Sequence, residues 1–254
     1  MIRFEKVTKW LGGRLVLDEI DLSIERNETF VIVGTSGAGK SVSLKHMIRL
    51  LTPDSGKVWV GDDVVSEAGG PDLERIRSRF GVLFQSAALL QWLTVEGNVR
   101  LPLRERAQMS DEEMGKLAEE KLKLVNLSGI NDVFPSDLSG GMRKRVGLAR
   151  AIITNPEIIL YDEPTSGLDP VTSRTIDQLI DNLRKELGVT SVVVTHDLHS
   201  ALAIGTRIGM LHNGRMVEIS TPKEFIKSKN EVVKSFLEAQ YITTRGSWEE
   251  VVAS

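Results

Sequence analysis

Cysteine is absent from the 254 residues. Disulfide cross-links and thiolate-held metal centres are therefore excluded. Long apolar runs are missing too. TFVIVG at 29–34 and IIL at 158–160 are strand-sized, far short of the ~20 residues that span a bilayer. MIRFEKVTKW at the start mixes charge throughout, and no signal peptide is expected there. Any work on a membrane is then expected to go through a partner. Neither sign of charge dominates: 32 Lys and Arg stand against 35 Asp and Glu, a formal net charge of −3. That balance gives no general drive toward nucleic acid or an anionic membrane. Internal repeats and low-complexity tracts are lacking as well. What is present is an ordinary globular composition, 41% hydrophobic and 26% charged. It suffices for one large domain, or one domain with a subdomain inserted.

Hydrophobic patterning places the elements. IRFEKV and VLDEIDLSI alternate as half-buried strands do, with a turn at ERNE. TFVIV is continuously apolar, which suits a central parallel strand covered on both faces. Helical spacing follows over 40–51 and ends near Pro53, Asp54 and Gly56. KVWVGDDVV and GVLFQ read as strands. Residues 91–156 are helix-rich and charged, without strand signals, and read as an inserted helical subdomain. Strands then return in EIILYDE, TSVVVTHD and RIGMLHNGRMVEI, with a helix at 172–187 between the first two. Strand–helix alternation implies a parallel α/β sheet. Apolar residues from Phe225 onward predict a tail helix, interrupted by TTRGS at 243–247 and followed by WEEVVAS.

The chemistry concentrates at strand ends. Gly34–Ser41, GTSGAGKS, match G-x-x-x-x-G-K-[ST], a pattern met by chance in roughly one chain in a hundred of this length. A buried strand before and a helix after give it the context of a phosphate loop. Backbone N–H groups of Gly34, Thr35, Ser36, Gly37, Ala38 and Gly39 can converge on phosphates, Lys40 can reach the β- and γ-phosphates, and Ser41 can ligate Mg²⁺. ILYDE ends a second apolar strand in two carboxylates. Alternation would send Asp162 and Glu163 to opposite sides, Asp162 toward a metal and Glu163 toward an attacking water as general base. His196 follows SVVVT and can hydrogen-bond a γ-phosphate. Gln85 ends GVLFQ, and its amide oxygen can hold Mg²⁺ or water. LSGGM at 138–142 reads as a second phosphate-binding device. Ser139 can cap a helix there, and Gly140 and Gly141 allow close approach. The helix would be apolar at Met142, Val146, Ala149 and Ile152 or Ile153. The basic run Arg143, Lys144, Arg145 is read as a solvated helix face or as support for the nearby phosphate, not as a nucleic-acid site.

Together, in this order, these motifs resemble the nucleotide-binding subunit of ATP-binding cassette (ABC) transporters over about residues 2–225. GTSGAGKS corresponds to Walker A, Gln85 to the Q-loop, LSGGM to the signature, ILYDE to Walker B with its catalytic glutamate, SGLD at 166–169 to the D-loop, and His196 to the switch histidine. The resemblance implies an α/β fold: a P-loop NTPase (RecA-like) core with a parallel sheet over about 2–90 and 156–225, an N-terminal antiparallel β subdomain, an inserted helical subdomain over about 91–155, and a helical tail at 226–254. It implies ATP and Mg²⁺ as cofactors, with Ser41, Gln85 and Asp162 at the metal. It further implies a homodimer in which each ATP lies between one chain's Walker A and the other chain's Ser139, Gly140 and Gly141, with Asp169 of the D-loop nearby. Trp10 takes the place of the aromatic that stacks on adenine, an exposed or core Trp being the alternative. Met142 replaces the commoner Gln of the signature.

LFQSAALLQWLTVEGNVRLPLRE at 83–105, SDLSGGMRKRVGLARAI at 136–152 and DEPTSGLDPVTS at 162–173 look like one branch, the ATPases of the lipid-asymmetry (Mla) and mammalian-cell-entry (MCE) systems. That branch implies phospholipid or lipid transport across a bacterial envelope, a separate integral-membrane permease, an MCE-type periplasmic lipid-binding protein, and a place on the cytoplasmic face of the inner membrane. Residues 86–105, with Leu89, Leu90, Trp92, Leu93 and Val95, would receive the permease's coupling helix, or else pack as core. The tail would cross to the partner ATPase or dock locally. A soluble SUF-type iron–sulfur assembly ATPase, which would share every catalytic motif, is the alternative.

Overall fold

A computed structural model describes residues 1–104 and 109–242. The chain divides into two compact units, Met1–Leu73 with the chain from Val193 onward, and Glu74–Val192. The first unit begins with β1 (Ile2–Leu11), β2 (Arg14–Ile24), β3 (Thr29–Val33), α1 (Lys40–Met47), β4 (Ser55–Val60) and β5 (Asp63–Val64). Helix α2 (Gly70–Ser78) leads into the second unit, with β6 (Phe80–Leu83), α3 (Val95–Arg104), α4 (Asp111–Leu124), α5 (Gly140–Ile152), β7 (Ile158–Asp162) and α6 (Pro170–Leu187). Strand β8 (Thr190–Thr195) carries the chain back to the first unit, which ends in α7 (Leu198–Ile204), β9 (Arg207–His212), β10 (Arg215–Ser220), α8 (Pro222–Phe225) and α9 (Glu231–Glu238).

In the first unit an antiparallel sheet has the order β2-β1-β4-β5. Its register sets Phe4 opposite Leu22 on one side and opposite Val58 on the other, so the alternating apolar positions share one buried face. A second set runs β10-β9-β3-β8. All five residues of β3 are buried, as expected of a strand covered on both faces. It lies parallel to β9, Val33 opposite Met210. Asn213 and Gly214, both at positive φ, make the tight β9–β10 turn. In the second unit the order is β8-β7-β6, with β6 parallel to β7. Helix α5 lies so close to β6 that a Cβ at Gly81 would meet the Ala151 carbonyl. Helix α6 buries Ile176, Leu179, Ile180 and Leu183 at helical spacing.

The elements differ from expectation in a few places. Helix α1 stops at Met47 rather than Leu51, because Arg49 turns to φ 51° and Leu50 N–H bonds back to the Lys45 carbonyl. Strand β6 stops at Leu83, so Gln85 lies beyond the strand and not at its end. Helix α2 was not anticipated; Ile76 is its one buried side chain, too little for an apolar stripe to show. Glu105, TTRGS and WEEVVAS lie outside the described residues. Among the described residues no helix is long and apolar enough to cross a membrane.

Candidate functional site

In the first unit the loop Gly34–Lys40 joins β3 to α1. Its glycines answer steric demands. A Cβ on Gly34 would lie 2.3 Å from the Leu211 carbonyl oxygen. Gly39 has φ 107°, and a Cβ there would meet Val16 O and Leu17 Cδ2 at 2.9 Å. Lys40 is 7% exposed, and its Nζ donates to Gly34 O (2.9 Å) and Thr35 O (3.2 Å). The ammonium is thus curled into the loop's mouth beside the N-terminal end of α1, the positive end of the helix dipole, which favours an anion. Loop and lysine fit the phosphates of a nucleotide.

His196 follows β8 directly and is exposed. The main chain beside it is held from the tail. Gln240 Nε2 donates to His196 O (2.7 Å), and Leu198 N–H donates to Gln240 Oε1 (2.9 Å). Gln240 stands just past α9, which buries Val233 and Leu237, so α9 is docked locally on its own unit. Trp10 is 51% exposed near the end of β1, which sets aside a core role; its main-chain N–H donates to the Asp54 carboxylate.

In the second unit β7 ends at Asp162, and Glu163 leaves the strand with φ 48°. Strand alternation therefore does not govern the direction of Glu163, contrary to the expectation from the sequence. A left-handed conformation at a non-glycine residue is costly and persists where its surroundings enforce it. Here the Glu163 carbonyl accepts from Ser166 N–H (3.2 Å) and from Lys144 Nζ (3.0 Å). The Gln85 amide donates to Ser166 Oγ (3.4 Å), and the Gln85 carbonyl accepts from Lys144 Nζ (2.5 Å). Gln85 and Glu163 are thereby brought together.

The basic run is not a solvated face, and that expectation is corrected. Lys144 is 5% exposed. Arg143 donates to Leu138 O and Arg145 to Asn126 O. Arg150, one turn and a half further along α5, donates to Ala87 O and Ala88 O. Burial pushes the Lys144 ammonium down to about 8, against the opposing pull of Glu163 and Asp162. A lysine among arginines carries no sign in the sequence of which one turns inward.

Ser139 caps α5, its Oγ accepting from Met142 N–H. Gly141 is required for space: a Cβ would lie 2.4 Å from Thr172 Cγ2 at the start of α6. Asp169 caps that helix, accepting from Val171 and Thr172 N–H and from Thr172 Oγ1. The Thr172 hydroxyl bond holds the Asp169 carboxyl below its ordinary range. Among the described residues no three His, Cys, Asp or Glu side chains cluster as a metal centre.

A family model described as "ABC transporter" matches residues 17–166. The chain belongs to the ABC transporter family. It is similar to the probable ribonucleotide transport ATP-binding protein mkl of Mycobacterium leprae, 38% identical over 249 residues, covering 98% of this chain and 72% of that protein. It is also 40% identical over 222 residues to the methionine import ATP-binding protein MetN of Geobacillus kaustophilus, covering 86% and 65%. Among solved structures, the ATP-binding cassette MJ0796, as a dimer in a post-hydrolysis state bound to ADP and Pi, superposes with a TM-score of 0.80 at 37% identity, over 87% of this chain and 99% of that one. This ABC protein is an ATP-binding, ATP-hydrolysing subunit with the mixed α/β fold of a P-loop cassette.

The stretch 86–104 of this ABC ATPase mixes core and exposed apolar side chains. Leu89 and Val95 are core, whereas Trp92 is 73% exposed and Leu90 lines a cavity of about 340 Å³ with Phe84, Leu101, Pro102 and Arg150. Buried Asn98 organises the preceding loop. Its Oδ1 accepts from Leu90 N–H, and its Nδ2 donates to the Leu90, Leu93 and Thr94 carbonyls. Asn98→Ala is expected to lower stability by about 1–3 kcal/mol, since buried main-chain groups lose their partners. Urea denaturation measures it; an unchanged midpoint would show that the loop holds without the amide.

Proposed function

We propose that this chain energises a lipid transporter of the bacterial envelope, as two copies on the cytoplasmic face of the inner membrane beneath a separate permease that works with an MCE-type periplasmic lipid-binding protein. The cargo reading rests on the resemblance over 83–105, 136–152 and 162–173 and on similarity to mkl along nearly the whole chain. Relatives' names differ in cargo, from ribonucleotide to methionine, which fits a subunit that drives transport without touching what is moved. One observation supports docking on a permease: the cleft lined by Phe84, Leu90, Leu101 and Pro102 offers a seat for a short helix.

Within this reading Gly34–Gly39 and Lys40 bind the phosphates, and Trp10 stacks on the base. Ser41, Gln85 and Asp162 are the residues that would hold Mg²⁺, which would neutralise phosphate charge. Glu163 takes the proton of the attacking water, and His196 steadies the terminal phosphate. Ser139, Gly140 and Gly141 serve the nucleotide of the second copy, with Asp169 shaping the neighbouring turn. Helices α3, α4 and α5 form the inserted helical subdomain, and α9 belongs to the tail.

The test is gentle solubilisation of native membranes carrying tagged chain, followed by mass spectrometry of co-purifying proteins and lipids. A multi-spanning permease with an envelope lipid-binding protein is the expected result. A soluble complex lacking any membrane protein would overturn the transporter assignment of the partners.

A further inference from the structure

Helix α5 sends two cations, buried Lys144 and half-buried Arg150, into the backbone of the loops that carry Gln85 and Glu163. Lys144 Nζ meets Gln85 O at 2.5 Å and Glu163 O at 3.0 Å. Arg150 meets Ala88 O at 2.8 Å and Ala87 O at 2.5 Å. Three of the four residues so held, Ala87, Ala88 and Glu163, are at φ 59°, 48° and 48°, a region that non-glycine residues adopt under constraint. An ammonium carries three donors on one atom and so serves two converging carbonyls from a single point; an apolar side chain of the same length would serve neither. Lys144 stands five residues after the capping Ser139, little more than one turn along the same helix.

We infer that Lys144 is a positioning residue for hydrolysis: it ties the backbone at Gln85 to the backbone at Glu163, fixing the amide and the carboxylate relative to each other and to the helix that begins at Ser139. The inference rests on the reading of Glu163 as the base and of Gln85 as a ligand of metal or water. A helix moves as a rod, so engagement of Ser139 by a second chain's nucleotide displaces the Lys144 ammonium and, with it, both loops at once. The signature thereby reports on the hydrolytic carboxylate through one side chain of its own helix.

The experiment compares Lys144→Met, Lys144→Gln and Glu163→Gln in the full chain, reading kcat, KM for ATP, equilibrium binding of a fluorescent ATP analogue, and Tm. Methionine and glutamine match each other in length, each one atom short of lysine, and only glutamine keeps N–H donors. A misplacement near 1 Å costs about 10²-fold in rate, so Lys144→Met is expected to lose about 10–100-fold in kcat with KM and analogue binding within about twofold of native. Lys144→Gln, whose amide restores N–H donors, is expected to recover to within about threefold of native. Native kcat in Lys144→Met overturns the inference. Equal loss in both variants at native Tm also overturns it, since donors then make no difference. Loss of nucleotide binding together with a fallen Tm in both variants shows a merely structural role and overturns it too. Glu163→Gln separates the two levels. If it turns over normally, the base assignment fails; if it is inactive while Lys144→Met runs at the native rate, that assignment stands and the tie alone is refuted.

Discussion

Glu163→Gln is expected to lower kcat for ATP hydrolysis by about 10²–10⁴-fold with ATP affinity unchanged. The amide matches the carboxylate in size but cannot take up a proton from water. On the activation barrier the loss corresponds to about 3–5 kcal/mol. The backbone there is anchored independently of the side chain, by Ser166 N–H and Lys144 Nζ on the Glu163 carbonyl, so the left-handed turn survives the substitution. With hydrolysis stalled, ATP stays bound, and two copies of the chain are expected to elute together at dimer size. Adding Ser139→Arg is expected to return that species to monomer while each chain still binds ATP, because Ser139 would serve the other chain's nucleotide. Phosphate release and size-exclusion chromatography in ATP measure both effects. Native turnover in Glu163→Gln would move the base elsewhere.

Lys40→Ala is expected to weaken ATP binding by about 100-fold or more and to remove hydrolysis with it. Each hydrogen bond from a charged donor contributes about 1.5–3 kcal/mol, and tenfold in affinity is 1.4 kcal/mol, so two phosphate contacts account for the loss. Two of the Nζ hydrogen bonds go to carbonyls of the loop itself. Isothermal titration measures the affinity, and circular dichroism checks that the fold persists. Undiminished binding would take the nucleotide away from this loop.

Much of this architecture can be read from residue order. Glycines at 34 and 39 announce a loop that admits no Cβ, and the uniformly buried TFVIV announces a strand with two covered faces. Ser139 declares itself as a cap because capping is local, its Oγ reaching Met142 N–H three residues onward. What escaped was long-range. Lys144 looks solvated in a basic run, and its partners lie 59 and 19 residues away. Asn98 gives no periodic signal, yet one amide organises the loop before it. The turn at Glu163 was hidden because alternation ends wherever the strand does, and the sequence does not mark that residue.

The amide of Gln240 gives the far end of the described chain a hand on the loop after β8. It grips the main chain on both sides of Asp197, as acceptor from Leu198 and donor to His196, across 42 and 44 residues of sequence. A truncation placed after residue 240 leaves this clasp closed, and one placed after Glu238 opens it. Tags, fusions or binding proteins that pull on the C-terminal side of α9 therefore tug on the histidine loop, and the position of His196 becomes a property inherited partly from the tail.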